Sequence, residues 1–226
     1  MLKHPVFMAQ STRDRIISSA KELFNQQGFG ATTLYHVAQF MKISRGNLTY
    51  YFEKKENLLE EIAKELSNRY QEKMTSFQFP SWASTYNATK AFHELQLEYA
   101  FIFMDKQVMA YPFVQKEIEK IYKDDLGRQM AMISFSIEVG NMKAEIIPGT
   151  YHNLCRTLWT NSFFWLMSDI YQDQGDESGW DRVAWSLILP HFTEKGILAF
   201  KEHFGEDYFN ALGKPYNSVT EPMIQF

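Results

Sequence analysis

The sequence predicts an all-α fold made of a small N-terminal head and a larger C-terminal helical body. Apolar residues recur at intervals of three and four along most of the chain, which is the spacing of a helix with one buried face. No segment shows the alternation with a period of two that a half-buried strand requires. Charge separates the two parts: residues 1–55 carry eight Lys or Arg and three Asp or Glu, a net charge of +5, which leaves −9 for residues 56–226 of a chain whose total is −4.

Composition excludes several classes of protein. With 226 residues, of which 45% are hydrophobic, the chain can bury a core, so it is neither disordered nor a small disulfide-stapled domain. The single cysteine, Cys155, cannot form an internal disulfide, and we expect an inert buried thiol on the apolar side of its helix. The N-terminus has no signal-peptide pattern, and no uncharged apolar run reaches the roughly 18 residues of a membrane span. We therefore expect a cytoplasmic protein without membrane contact.

The first helix is predicted from about Thr12 to Gln27. Ser11, followed three residues later by Asp14, is typical of a helix N-terminus, because the hydroxyl accepts a free backbone N–H and a carboxylate favours the positive end of the helix dipole. Gly28 and Gly30 provide the unhindered backbone of a helix end. The residues of the buried face follow at helical spacing: Ile16, Ala20, Leu23 and Phe24.

Two short helices come next, predicted at about 33–40 and 44–52, with Thr32 as the N-cap of the former. Only Met41 to Ser44 separates them, which is the connection length of a helix-turn-helix.

A long fourth helix is predicted from about Lys54 to Met74. Segment 76–84, with Pro80 at its centre, then interrupts the helical pattern. We divide the chain into a head, residues 1–55, and a body, residues 56–226. The body after the interruption has five predicted helices, at 86–104, 113–122, 125–139, 148–171 and 180–204, with connectors at 141–149 and 172–179 and a bend at Pro190.

The second helix of the helix-turn-helix has the side chains of a helix that reads the major groove of DNA. Arg45 can make a bidentate contact with guanine, and Asn47 can pair with an adenine edge. Thr49 offers a methyl group to thymine or a hydroxyl to a phosphate. Leu48 and Phe52, four residues apart, would hold the helix on its neighbours.

Gly46 lies inside this helix, where a glycine costs about 1 kcal/mol relative to alanine. We interpret this glycine as a position where a side chain would hold the helix away from DNA. Tyr50, Tyr51, Thr33 and Lys55 lie where phosphates can be bound. The full set of predicted DNA-binding residues is Thr32, Thr33, Ser44, Arg45, Asn47, Thr49, Tyr50, Tyr51 and Lys55.

These motifs resemble those of the tetracycline-repressor (TetR) family of bacterial transcription regulators. The chain departs from the family pattern at Lys42, where glycine is usual, at Thr49, where tyrosine is usual, and at Tyr51, where histidine is usual. The resemblance implies that Lys42 adopts a left-handed or bridge backbone conformation. The resemblance extends over roughly Arg13 to Leu59 and includes Ala20, Leu23, Phe24 and Gly28 of the first helix, Thr32, Thr33 and Ala38 near the second, and Ile43, Ser44, Gly46, Asn47, Leu48, Tyr50, Tyr51, Phe52, Lys55, Glu56 and Leu58 thereafter.

The resemblance implies an all-α homodimer. In such a protein the first three helices bind a pseudo-palindromic duplex operator, and the fourth helix connects them to a ligand-responsive body. The last two long helices form a four-helix dimer interface. The body would enclose an apolar cavity for a small-molecule effector.

Aromatic and Met residues of the body are the candidates for lining that cavity, although such residues are by default core. His93, Glu94 and Arg128 are possible polar contacts for a ligand or ordinary surface groups. The predicted pocket residues are Phe92, Tyr99, Phe103, Met130, Phe135, Trp159 and Phe163.

Three functions remain open from the sequence. The first is a transcriptional repressor released from its operator by a small apolar or aromatic ligand. The second is a DNA-bound protein that recruits a protein partner and has no small-molecule inducer. The third, an enzyme, has little support, because the chain lacks the spacings Glu-x-x-His, His-Glu-x-x-His and Cys-x-x-Cys and any Gly-rich phosphate loop. We therefore predict no catalytic residues, no metal site and no cofactor.

Overall fold

The structure is a computed structural model that describes residues 11–77, 81–169 and 179–212. The described chain is helical throughout, with one isolated antiparallel bridge between Met142 and Phe192, which confirms the all-α prediction. None of the described helices is long and apolar enough to cross a membrane. The α-helices are α1 Thr12–Gln27, α2 Leu34–Phe40, α3 Arg45–Tyr51, α4 Lys55–Met74, α5 Trp82–Glu98, α6 Ala100–Met104, α7 Lys106–Met109, α8 Pro112–Glu138, α9 Thr150–Asp169, α10 Gly179–Ile188, α11 Glu194–Phe204 and α12 Glu206–Leu212.

The chain forms two compact units. In the described residues, the first unit holds 11–76 and 91–123, and the second holds 77, 81–90, 124–169 and 179–212. Helices α5 and α8 each contribute to both units. These units describe packing rather than function, so the functional division at residue 55 stays a prediction.

The ends of α1 are as the sequence predicts. The backbone N–H of Asp14 donates to the Ser11 hydroxyl oxygen at 3.1 Å, and Gly28 ends the helix with a φ of 82°. At α2 the N-cap is Thr33 rather than Thr32, because the Thr33 hydroxyl accepts the N–H of His36 at 3.2 Å. Thr32 is instead buried, and its hydroxyl donates to the carbonyl of Gly28 at 2.9 Å.

The predicted helix at 86–104 begins earlier and is broken near its end. Helix α5 ends at Glu98, and α6 begins at Ala100. The Asn25 side chain provides hydrogen-bond partners for the backbone at this break. Its amide nitrogen donates to the Glu98 carbonyl at 2.8 Å, and its amide oxygen accepts the N–H of Phe101 at 3.1 Å. A contact from α1, distant in sequence, therefore decides where the helix stops.

The two helices predicted at 113–122 and 125–139 are one continuous helix, α8. Polar residues at the expected break form pairs within the helix instead of ending it. Lys123 pairs with Glu119 at 2.5 Å, and Arg128 Nε lies 3.1 Å from Asp124.

The predicted helix at 180–204 does not bend at Pro190 but ends there. Helix α10 is followed by a 3₁₀ turn, Leu189–His191, and Thr193 caps a new helix, α11. The hydroxyl and N–H of Thr193 donate to the carbonyls of Gly140 and Asn141 at 2.7 and 3.0 Å, so the start of α11 closes the end of α8. Gly196 allows this approach, because a Cβ there would lie 2.0 Å from the Asn141 carbonyl oxygen.

The remaining differences lie near the ends of the described segments. Helix α9 begins at Thr150 after a connector, as predicted, and is described to Asp169. A short helix, α12, follows Gly205 and was not predicted. The predicted connector at 172–179 lies almost wholly outside the described residues, as does Pro80.

Candidate nucleic-acid interface

Helix α3 buries an apolar side against the rest of the head and exposes the opposite side to solvent. Leu48 and Phe52 are buried, and the Arg13 guanidinium lies 5.2 Å from the centre of the Phe52 ring. The Ser44 hydroxyl caps the helix by accepting the N–H of Asn47 at 3.1 Å. The N-terminal turn of α3 is therefore rigid and faces away from the core.

The turn before α3 has the backbone geometry of a helix stop. Lys42 has a φ of 56°, which confirms the predicted left-handed conformation. Its N–H donates to the Gln39 carbonyl at 3.1 Å, and the N–H of Ile43 donates to the Ala38 carbonyl at 3.0 Å. This is the Schellman arrangement, which satisfies carbonyls at the end of α2 and sets the angle between α2 and α3.

The two predicted base-reading side chains are both exposed in the first turn of α3. Arg45 and Asn47 are exposed, and their side chains make no hydrogen bond with any residue that the structure describes. A Cβ at Gly46, between them, would have nothing within 4 Å, so packing within the chain does not require a glycine there. The Thr49 hydroxyl is already engaged, because it donates to the Arg45 carbonyl at 3.0 Å.

Four large aromatic side chains of α2 and α3 are exposed. Tyr50 is 84% exposed and Tyr51 38% exposed, with their ring centres 5.3 Å apart in an edge-to-face arrangement. Tyr35 and Phe40 of α2 are also exposed and were missed by the sequence analysis. Their positions one residue outside the inward-facing stripe of α2 are the signal that identifies them as surface residues.

Two of the predicted DNA-binding residues face the interior of the head. Lys55 Nζ donates to the carbonyls of Phe29 and Thr32 at 2.6 and 2.8 Å and lies 4.1 Å from the centre of the Phe29 ring. Burial lowers the pKa of Lys55 and outweighs the opposing effect of Glu56 and Asp105. Lys55 and the buried Thr32 thus join the start of α4 to the loop before α2, and Thr33, exposed, caps α2.

A network of charged side chains joins α1, α4 and the α5–α6 break, and no pattern in the sequence predicts it. Lys21 Nζ lies 2.6 Å from Glu98 and 3.2 Å from Glu65. Arg69 pairs with Glu98, and the Tyr99 hydroxyl donates to Glu65 and accepts from Arg69. Partners in this network are up to 77 residues apart in the chain.

The charges in this network hold one another ionised. Burial alone would raise the pKa of Glu98, but hydrogen bonds from Arg69 and Lys21 outweigh it and lower the pKa. Burial and the neighbouring Glu65 raise the pKa of the Tyr99 phenol, so the hydroxyl stays a donor. The network can therefore fix α1 on α4 with a single hydrogen-bond pattern.

The predicted pocket residues do not form one described group. Phe92, Tyr99 and Phe103 belong to the first unit, where Phe92 packs edge-to-face on Tyr70. The other four belong to the second unit: Met130, Phe135, Trp159 and Phe163. Their role as a ligand pocket stays a prediction.

Two of the predicted polar contacts for a ligand, Glu94 and Arg128, lie near charged side chains of this chain, and no metal site is described. Glu94 lies 3.3 Å from Lys73. Among the described residues, no three His, Cys, Asp or Glu side chains are grouped so that they could hold a metal ion. Cys155 is buried, and burial together with the charge of Asp125 raises the pKa of its thiol to about 12.

The fold and the exposed face of α3 define a helix-turn-helix protein of the kind that places a recognition helix in the major groove. Residues 16–62 match the family described as "Bacterial regulatory proteins, tetR family". This part of the chain is therefore similar to the tetR family of bacterial regulatory proteins.

Individual relatives resemble either the head or the fold. The HTH-type transcriptional regulator QacR of Staphylococcus aureus is 42% identical over 60 residues, which are 26% of this chain and 32% of QacR, so the chain matches about a third of that relative's length. A TetR-family regulator from Marinobacter aquaeolei VT8 has a similar fold, with a TM-score of 0.74 at 19% identity over 86% of this chain and 99% of that chain. The structure of a SmeT–triclosan complex gives a TM-score of 0.58 at 14% identity, covering 96% of this chain and 100% of that chain.

Proposed function

We propose that the protein is a homodimeric transcriptional repressor that binds a pseudo-palindromic DNA operator and is released by a small-molecule effector. The observation that carries the proposal is the exposed N-terminal turn of α3, where Arg45 and Asn47 flank a glycine that the chain's own packing does not require. Such a surface suits base edges in a major groove.

The contacts with DNA divide into base reading and phosphate binding. Arg45 and Asn47 would read base edges, and Ser44 and Thr49 lie beside them on α3. The exposed Tyr50, Tyr51 and Thr33 would bind phosphates on either side of the groove.

Lys55 and Thr32 enter the proposal in a different role. Both are engaged with backbone carbonyls of the first unit, so we assign them to positioning α4 and α2 rather than to a phosphate. The residues of the head that touch DNA would then be supplied by α2 and α3.

Dimerisation is proposed because a helix-turn-helix pair reads two half-sites related by a two-fold axis. The predicted interface, the last two long helices, corresponds to α9 together with the segment that the structure divides into α10 and α11. Phe164 of α9 is 64% exposed, and a partner subunit would cover it.

An apolar or aromatic effector is supported by the second unit. Its core contains a dense aromatic cluster in which the ring centres of Trp82 and Phe192 are 4.8 Å apart, as are those of Trp185 and Phe200. The similar fold of SmeT was determined in complex with triclosan, a small aromatic molecule. A ligand that prefers one of two states of the dimer would change the spacing of the two heads and thereby the DNA affinity.

The test is selection of genomic DNA fragments by the purified protein, followed by fluorescence anisotropy on the selected site. We expect an inverted repeat and a loss of affinity of about 10-fold or more for Arg45→Ala, since a bidentate base contact is worth ~1–3 kcal/mol. Lys116→Ala removes an exposed positive charge from α8 and serves as the control, with affinity expected to stay within about twofold. Unchanged binding by Arg45→Ala, or no enriched repeat, would refute the proposal.

A further inference from the structure

Helix α3 is short, so its direction in the head depends on contacts with other helices. It has seven residues, with Arg45 at its N-terminal end and Phe52 as the C-cap. Leu48, in the middle of the helix, is completely buried and anchors it at one point. The two ends are about 10 Å apart, so a tilt of about 10° about Phe52 would move Arg45 by about 2 Å.

Arg13 of α1 contacts the C-terminal end of α3. Its guanidinium carbon lies 5.2 Å from the centre of the Phe52 ring, a distance at which a cation is attracted to an aromatic ring. Phe52 is buried, and its backbone N–H donates to the Leu48 carbonyl at 3.0 Å, which joins it to the last turn of α3. A side chain that holds this ring therefore holds one end of the helix.

The same guanidinium is bound by α4. Arg13 Nη2 donates to Glu61 Oε2, and this hydrogen bond lowers the pKa of Glu61, so the carboxylate stays ionised. Lys64, on the next turn of α4, donates to the other carboxylate oxygen of Glu61 at 3.2 Å. Arg13 therefore links the end of α3 to α1 and α4, with partners up to 48 residues apart in the chain.

The pairing also determines what Arg13 can contribute to DNA binding. Its side chain is 44% exposed and positively charged, which is typical of a phosphate contact. However, its charge is balanced by Glu61, and its guanidinium is held between α4 and the Phe52 ring. The geometry therefore favours a supporting role for Arg13 over a contact with the DNA backbone.

We infer that Arg13 is a positioning residue for sequence-specific DNA binding: paired with Glu61, it holds Phe52 and thereby fixes the angle at which α3 presents Arg45 and Asn47. It acts through these contacts and does not touch DNA. Side chains of a functional site must be held within about 0.5 Å, and neighbouring residues have to supply that precision. The inference rests on the proposed function, because it assigns a supporting residue to the DNA-reading helix.

The first test measures affinity by fluorescence anisotropy at several salt concentrations, on the site selected from genomic DNA and on an unrelated duplex of the same length. For Arg13→Met we expect a loss of about fivefold or more on the selected site and a change within about twofold on the unrelated duplex. The slope of log K against log salt should stay the same. Equal losses on both duplexes with a slope reduced by about 0.9 would show a phosphate contact and overturn the inference, as would unchanged affinity for the selected site.

A second variant separates positioning from charge by the sign of its effect. Glu61→Ala removes a negative charge, which by electrostatics alone would strengthen DNA binding. We expect it instead to weaken binding to the selected site about threefold or more, because Arg13 loses its partner on α4. Glu60→Ala makes the same change in charge one residue away, where the carboxylate pairs with Lys64 at 2.9 Å, and is the matched control. Similar affinities of the two variants would contradict the inference.

Hydrogen exchange tests the positioning without DNA. In Arg13→Met, we expect backbone amides of residues 44–52 to exchange about fivefold faster or more, whereas residues 100–109 of the same unit should be unaffected. Thermal melts confirm that the variant folds. Unaltered exchange at 44–52, or equal acceleration in both segments, would overturn the inference. Faster exchange at 44–52 alone, without any enriched operator, would refute the proposed function and leave the hold of Arg13 on α3 supported.

Discussion

The two compact units treat their buried polar groups in opposite ways. In the first unit, Lys21, Glu65, Arg69, Glu98 and Tyr99 satisfy one another across three elements. In the second unit, several buried polar atoms have no hydrogen-bond partner among the described residues: Trp82 Nε1, Gln129 Oε1, Ser136 Oγ, Asn141 Oδ1 and Trp185 Nε1.

The charged network of the first unit, Lys21, Glu65, Arg69, Glu98 and Tyr99, is called the joint below, and it contrasts with the unpaired polar atoms of the second unit. The paired charges of the first unit favour one arrangement of α1, α4 and the α5–α6 break. Unpaired atoms in an apolar core lose hydrogen bonds to water without replacing them, and a ligand that supplies partners would recover that loss. This contrast supports the proposal that a ligand binds in the second unit.

The largest expected effect comes from breaking the joint. Lys21→Met removes a cation whose side chain is 12% exposed and leaves Glu65 and Glu98 with fewer partners. We expect a loss of about 2 kcal/mol in the free energy of unfolding, less than for a fully buried ion pair because the side chains of Glu65 and Glu98 are 33% and 37% exposed. Urea denaturation measures it. Lys64→Met, which breaks an exposed pair on α4, is the control, with a loss of about 0.5 kcal/mol; equal losses would show that the network is ordinary surface.

In the second unit, removal of a charged group is expected to raise the free energy of unfolding rather than lower it. Burial raises the pKa of Asp125 from 3.8 to about 6, despite Arg128 and Gln129, which lower it. Because the folded pKa is the higher one, folding favours the protonated acid, and stability is lost as the pH rises from about 4 through 6. Asp125→Asn should therefore be more stable than the original protein by about 2 kcal/mol at pH 7.5.

The pH dependence distinguishes this effect from general repacking. The groups that face Asp125 are Asp124, Arg128 and Gln129 on its own helix and Cys155 on α9. Because the carboxylic acid of Asp125 is protonated in both the folded and the unfolded state at low pH, the stability difference should close below about pH 4. Thermal melts of both proteins from pH 4 to 8 measure it, and a constant difference would contradict the assignment.

A pair of hydroxyl deletions compares the units directly. Tyr99→Phe leaves Glu65 and Arg69 without the phenol, and we expect a loss of about 1.5 kcal/mol. Ser136→Ala removes a hydroxyl that has no described partner, and we expect a change within about 0.5 kcal/mol. Chemical denaturation measures the free energy of unfolding of both variants. Similar losses in the two variants would contradict the contrast between the units.

The smallest effect concerns the DNA-facing surface of the first unit. Gly46→Ala meets no atom within 4 Å and should stabilise the fold by roughly 0.5–1 kcal/mol through helix propensity. The same methyl group should weaken operator binding, because it projects from the face that approaches DNA. Melting temperature and anisotropy are measured together; improved stability with undiminished DNA affinity would show that Gly46 does not face the duplex.

Much of the head could be predicted from the sequence. The Ser11 cap, the left-handed Lys42 and the buried Leu48 depend on residues within about one helical turn, where side chains and backbone interact by fixed geometry. The exposed position of Arg45 and Asn47 followed from the same periodicity.

Sequence reasoning missed contacts in which a distant partner engages a side chain that has a local preference. Thr32 has a side chain suited to an N-cap, yet its hydroxyl is taken by Gly28. Lys55 has the charge for a phosphate, yet two backbone carbonyls hold its ammonium group. The polar stretch of α8 is typical of a connector, yet ion pairs four residues apart keep it helical.

The sequence by itself therefore determined the helical class, the helix-turn-helix and the exposed face of α3, because these depend on spacing and on caps that act over a few residues. Tertiary structure alone decided the joint from Lys21 to Glu98, the end of α5 at the Asn25 side chain, and the close approach of Gly196 to Asn141. Such contacts form only when helices distant in the chain pack together, and a periodic pattern contains no information about which helix will be the neighbour.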